Sequence, residues 1–127
     1  MKTNLFSIWH TMHTAGKTCL LTVAALFGVC LNAFADGTID INSPASGSGY
    51  TWGGATLTIT GNGTYTFTGE AAVPTLNFRI ATATNLTNVS IILNDVNIKS
   101  TNCAFSIGSG TTVSLTLKGT NNLESGY

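Results

Sequence analysis

Between Thr56 and Leu123 the apolar residues fall on alternate positions in short runs, and this alternation constrains the fold more than any other feature of the chain. Thr56-Leu-Thr-Ile-Thr60 reads polar, apolar, polar, apolar, polar, and Thr64-Tyr-Thr-Phe-Thr68 repeats that order after Gly61-Asn-Gly63. A period of two gives an extended strand one apolar face and one polar face. The pattern returns in Asn77-Phe-Arg-Ile80, Ser90-Ile-Ile-Leu-Asn94, Val96-Asn-Ile98, Phe105-Ser-Ile107 and Val113-Ser-Leu-Thr-Leu117, with Gly108-Ser-Gly110, Gly119 and Asn121-Asn122 as turn residues between runs. No segment keeps a helical period.

Strands of this kind close into a sandwich or coil into a solenoid, and recurrence of the apolar offsets separates the two. Ser90-Ile-Ile-Leu-Asn-Asp-Val-Asn97 superposes on Ser114-Leu-Thr-Leu-Lys-Gly-Thr-Asn121 at an offset of 24, with Ile91 over Leu115 and Leu93 over Leu117. Thr58 to Tyr65 fits Thr116 to Leu123 in the same way. Each unit then has a strand, a Gly or Asp corner and one more apolar residue: Ile59 then Tyr65, Leu93 then Ile98, Leu117 then Leu123. A third short strand follows as Phe78 with Ile80 and as Phe105 with Ile107. A sandwich does not require such recurrence; a coil that stacks aliphatics on aliphatics does. The expected fold is all-β, a right-handed parallel β-helix whose first two to two and a half coils span residues 55–127. Its inward residues are expected to be Leu57, Ile59, Phe67, Ile80, Ile91, Leu93, Ile98, Phe105, Ile107, Leu115, Leu117 and Leu123. On this alignment Thr58 stacks on Ile92 and Thr116, and Thr60 on Asn94 and Lys118, so the Thr-x-Thr rows build no flat ice-binding lattice.

Residues 1–35 have a different composition. Lys2, Lys17, His10 and His13 precede an uncharged stretch from Cys19 to Leu31, and Ala33-Phe-Ala35 follows. Thirteen residues are too few to cross a bilayer core, which takes about 20, but they match a signal-peptide apolar region. Small side chains at Ala33 and Ala35 suit a signal peptidase, so cleavage is expected between Ala35 and Asp36. The chain then reads as a signal peptide over 1–35, a linker over 36–49 and coils over 50–127, with an extracellular or cell-surface location. Contact with a membrane is expected only through the signal peptide. Val29 before Cys30 is a poor fit to a lipidation site, where a small residue is wanted.

Composition narrows the function. Only 8% of the chain is charged and its net charge is zero, which removes the basic footprint of a nucleic-acid binder. Beyond residue 35 there is no His and one cysteine, Cys103, so neither a zinc site nor a Ser-His or Cys-His pair can be assembled there. Cys103, beside Ala104 and Phe105, reads as a small core residue. No disulfide, metal or cofactor is expected.

Gly49-Tyr-Thr-Trp52, Leu57 to Tyr65, Ile91 to Ile98 and Leu115-Thr-Leu-Lys-Gly-Thr-Asn-Asn-Leu-Glu-Ser-Gly126 together resemble the exported bacterial β-helix proteins grouped as carbohydrate-binding-domain or adhesin-like, common on gut-dwelling bacteria. The resemblance covers most of residues 47–127. It implies further coils beyond Tyr127, so that the sequence is expected to be an N-terminal fragment, and it implies a polysaccharide partner, with Tyr50 and Trp52 as candidate sugar-stacking rings. The same two rings also read as a cover for the open end of a coil stack.

Polysaccharide lyases share this coil, but they abstract a proton with Arg or Lys beside clustered acids. Here Arg79 is the one arginine of the chain, and no two acids beyond residue 40 lie close in sequence. Asp95 reads as a corner residue. The expectation is a non-catalytic polysaccharide-binding or adhesin-like surface protein, with a purely structural stalk or spacer as the alternative.

Overall fold

A computed structural model describes residues 34–126. The signal-peptide reading of residues 1–33, including Ala33, lies outside the described residues. Strands occupy the rest with no helix among them: β1 (Ala35–Asp40), β2 (Tyr50–Gly53), β3 (Thr56–Ile59), β4 (Gly63–Thr68), β5 (Thr75–Leu76), β6 (Arg79–Thr82), β7 (Val89–Asn94), β8 (Asn97–Ser100), β9 (Phe105–Ser106), β10 (Val113–Lys118) and β11 (Asn122–Ser125).

The strands sort into three sheets, ordered β1-β4-β7-β10, β2-β3-β6-β9 and β5-β8-β11. Every pair is parallel except β2 with β3. Successive strands of the chain therefore step from sheet to sheet and return one rung further on, which is a β-solenoid of about four turns. The alternation of the sequence does the work: each strand sends every second side chain inward, where rungs stack apolar on apolar. In the first sheet Tyr65, Ile91 and Leu115 form one inward row, and Ile39, Phe67, Leu93 and Leu117 another. Leu57 and Ile80 stack in the second sheet, and Ile98 lies under Leu123 in the third.

Four turns replace the expected two to two and a half, because the expected linker begins with a rung. Asp36-Gly37 resembles a turn, yet β1 pairs over its whole length with β4 and turns Ala35, Gly37 and Ile39 inward. Gly37 serves space rather than turning: a Cβ there would meet the Tyr50 ring at 2.9 Å. The irregular stretch is confined to residues between β1 and β2.

The register also differs at one place. The offset of 24 between β7 and β10 holds, Ser90 with Ser114 and Leu93 with Leu117. Thr58, however, lies between Thr51 and Ala81, while it is Thr66 that stacks on Ile92 and Thr116, with Thr38 beyond it. Two adjacent runs of identical pattern, 56–60 and 64–68, are interchangeable to any alignment by apolar offset. Their turn length decides which sheet each enters.

Seven of the twelve expected inward residues, Leu57, Ile59, Phe67, Ile80, Ile91, Leu93 and Ile98, are fully buried. Tyr65, Val89, Val96, Phe78, Ile39 and Ile41 join them. Phe105 and Leu123 are partly covered, but Ile107, Leu115 and Leu117 are 51%, 47% and 61% exposed. Leu115 and Leu117 hold inward register positions, and no rung among the described residues lies over them. Cys103 is exposed rather than buried, its thiol directed at the Phe105 carbonyl.

Asn and Asp build the corners. Asn77, Asn85 and Asp95 adopt φ near +60°, a region that short polar side chains tolerate. Corner side chains also tie one turn to the next. Asn62 Oδ1 accepts from the Thr87 and Asn88 amides, Asn121 Oδ1 accepts from the Val96 amide at 2.9 Å, and Asp95 Oδ1 accepts from the Thr120 amide at 2.9 Å. No buried side-chain polar atom among the described residues lacks a partner.

Candidate functional site

Tyr50 and Trp52 lie on β2, the one antiparallel strand. Residues opposite each other in an antiparallel pair face the same side, and Trp52 is opposite Leu57, Tyr50 opposite Ile59. Both partners are fully buried, so both rings point to the inner side of the sheet. Trp52 stacks on Phe78 with ring centroids 5.2 Å apart and planes within 15°, and Tyr50 meets Tyr65 edge to face at 5.9 Å. The pair thus forms a lid over the first turn, half-buried and packed against the core. One face of the Trp52 ring is taken up by that packing.

Tyr65 anchors the lid from below. Its hydroxyl lies 3.0 Å from the Gly49 carbonyl and 2.9 Å from the Gly61 carbonyl and donates toward both. Burial raises the phenol pKa above 10.0, with smaller contributions from Asp36 and Tyr50. Apolar periodicity alone would find this residue but not its hydroxyl partners, which come from two separate turns.

The outward side of the first sheet carries the densest set of ligand-competent groups. Asp36, Thr64, Ser90 and Ser114 form one row across the four strands; Thr38, Thr66, Ile92 and Thr116 form the second; Asp40, Thr68, Asn94 and Lys118 form the third. Parallel pairing spaces the members of a row by about 4.8 Å, and alternate residues along a strand by about 6.6 Å. Ile92 interrupts the central row and charged residues end the outer ones, so the threonines make no continuous lattice in this register either.

Two shallow depressions open on this side. One, of about 350 Å³, is lined by Asp36, Gly37, Thr38, Thr64 and Thr66; the other, of about 320 Å³, by Phe34, Asp36, Gly63, Thr64, Asn88 and Ser90. They share Asp36 and Thr64, which are themselves linked by the Thr64 amide donating to Asp36 Oδ1 at 3.2 Å. The grouping offers a carboxylate, an amide and several hydroxyls, which exchange hydrogen bonds with a polyol. Asp36, singled out in the sequence as the residue after the expected cleavage point, is thereby placed in the candidate site.

Arg79 and Asp95 occupy structural places. Arg79 Nε donates to the Cys103 carbonyl of the next turn at 2.9 Å, and Asp95 sits at its corner. Among the described residues no three His, Cys, Asp or Glu side chains cluster to hold a metal ion, and no helix is long and apolar enough to cross a membrane. No family model matches the chain, and neither a curated protein nor a solved structure matches it.

Proposed function

We infer that this chain is an exported, non-catalytic β-solenoid of the carbohydrate-binding or adhesin-like kind its motifs resemble, with right-handed coils, and that it binds polysaccharide at the cell surface or outside the cell. The single observation that carries the reading is the outward side of the first sheet, where Asp36, Thr38, Thr64, Thr66, Asn88 and Ser90 line adjoining depressions. Neutral hydroxyls and amides suit sugar hydroxyls, and each such bond is worth about 1 kcal/mol, so affinity comes from repetition along the polymer. Tyr50 and Trp52 contribute only through whatever ring surface the lid leaves open.

Export follows from the 1–35 segment. Cleavage between Ala35 and Asp36 removes the Ala35 end of β1, whose amide donates to the Asn62 carbonyl at 3.0 Å, and leaves Asp36 to Asp40 to pair with Thr64 to Thr68 of β4. Protein recovered from outside the cell should begin at Asp36 when its N-terminus is sequenced. Retention of Met1 there would overturn the signal-peptide reading.

Retention on a panel of insoluble polysaccharides tests the binding. The pair Thr38→Arg and Thr66→Arg should abolish retention without lowering the melting temperature, both side chains being outward. Trp52→Ala should reduce folding stability and lower retention per folded molecule far less than the Thr38 and Thr66 pair does. No retention on any polysaccharide would remove the binding reading and leave the structural spacer, which the use of both aromatic rings of β2 as a lid also favours.

A further inference from the structure

Asn62-Gly63 is the one Asn-Gly pair of the chain, and it lies at a corner that ties two turns together. Asparagine followed by glycine invites an internal reaction, in which the glycine amide nitrogen attacks the asparagine side-chain carbonyl carbon. Glycine has no Cβ to stand in the way of the closing ring. For the attack, the glycine amide must give up its proton and the asparagine side chain must swing toward it.

The next turn holds both reacting groups. Asn88 reaches them with the two halves of its own backbone: its amide donates to Asn62 Oδ1 at 3.1 Å, and its carbonyl accepts from the Gly63 amide at 3.0 Å. The Thr87 amide adds a second bond to Oδ1 at 3.2 Å. Two amides on one carbonyl oxygen polarise it toward attack. That polarisation achieves nothing while the nucleophile keeps its proton on the Asn88 carbonyl. Gly63 pairs with Val89 where β4 and β7 begin, so a parting of these two strand ends breaks the whole clasp together.

We propose that Asn62 is a modification site closed by this clasp, at which a transient separation of β4 from β7 becomes permanent. The step needs water alone. Hydroxide takes the Gly63 amide proton, the nitrogen bonds to Asn62 Cγ, and the Cγ–Nδ2 bond breaks, with Nδ2 leaving as ammonia after taking a proton from water. Water then opens the five-membered imide on either side of its nitrogen. Opening at Cγ gives aspartate; opening at the Asn62 main-chain carbonyl carbon gives isoaspartate, whose main chain runs through Cβ and Cγ.

The two products meet the fold differently. Aspartate keeps an acceptor where Oδ1 stood. Isoaspartate lengthens the main chain by one carbon in a turn that is held on both sides. The Thr60 and Gly61 amides donate to the Gly49 carbonyl at 2.8 and 3.1 Å and the Tyr65 hydroxyl donates to the Gly61 carbonyl at 2.9 Å, while Gly63 is fixed in the ladder with β7. The added atom forces one of these bonds or the clasp itself to be released, so the modified corner does not re-close as before.

The purified chain is to be incubated in mildly alkaline buffer and in denaturing urea, then digested, and the peptide carrying residue 62 resolved into its asparagine, aspartate and isoaspartate forms by mass spectrometry. In urea, residue 62 should convert before any other asparagine, and in buffer it should convert about tenfold more slowly or less. Leu93→Ala, which thins the core beneath β7 away from the corner, should raise the rate in buffer and leave the rate in urea unchanged. Should that variant not fold, the parent chain in urea below its unfolding midpoint applies the same strain, and its rate should climb with urea. The isolated isoaspartate form should melt below the parent, and Asn62→Asp close to it. Equal rates in buffer and in urea, earlier conversion of another asparagine in urea, a rate indifferent to both Leu93→Ala and sub-midpoint urea, or an isoaspartate form that melts like the parent would each overturn the proposal.

Discussion

Tyr65 and Trp52 show how individual side chains close this structure. Trp52 covers Phe78, and truncating a large aromatic that packs against a core costs about 3 kcal/mol. Trp52→Ala should lower unfolding stability by about that amount in urea titration; a loss below 0.5 kcal/mol, on the order of an ordinary surface change, would show that the ring is not a lid. Tyr65 makes a pH prediction. Its folded pKa is raised, so the neutral phenol is the form the fold favours, and the contribution is fully present below the unfolded value near pH 10. It is lost as pH rises from there through the folded pKa. The melting temperature of the parent chain should therefore fall more steeply above pH 10 than that of Tyr65→Phe, as thermal melts across that range will show. At neutral pH the Phe variant should itself be about 1 kcal/mol less stable, for the lost hydroxyl bonds to Gly49 and Gly61.

Between strands, the corners decide how one turn is pinned to the next. Asn62 satisfies two backbone amides of the following turn, at Thr87 and Asn88, with one side-chain oxygen. Alanine there leaves two donors to find other partners, and Asn62→Ala should cost about 1–2 kcal/mol by chemical denaturation. Asn62→Asp keeps the acceptor and should recover most of it. If Ala and Asp variants lose the same amount, the corner owes its shape to backbone preference and not to this bond. β1 depends on a corner in another way. Gly63 has φ of +148°, and a Cβ on it would run into the Ala35 backbone, so the side-chain-free residue is what lets the first rung approach β4.

A solenoid holds each turn mainly through its neighbours, so stability varies along its axis. The inner strands β4 and β7 are paired on both sides and buried on their inward faces, whereas among the described strands β10 and β9 are paired on one side only. Hydrogen exchange should find the slowest amides in β4 and β7 and faster ones in β9, β10 and β11. Protection rising toward the last turn would contradict this one-dimensional picture.

The alternation of Thr56 to Leu123 was enough to indicate strands, most of their inward residues and the 24-residue step from β7 to β10, because period two and stacking are local and nearest-neighbour constraints. Asp95 was legible as a corner, and Tyr50 and Trp52 as residues suited to covering an open end. Three things needed the tertiary structure. β1 was hidden because Gly37 and Ala35 look like turn and leader residues until the Tyr50 ring and the Gly63 backbone occupy the space beside them. Thr66 rather than Thr58 lies in the row with Thr116, since two runs of one pattern differ only in which sheet the intervening turn delivers them to. Asp36 and Ser90 share a depression although 54 residues apart, for the polar side of a strand carries no periodic signal of what it will face. Inward positions are specified by burial, which sequence pattern records; outward neighbours are set by register between turns, which it does not.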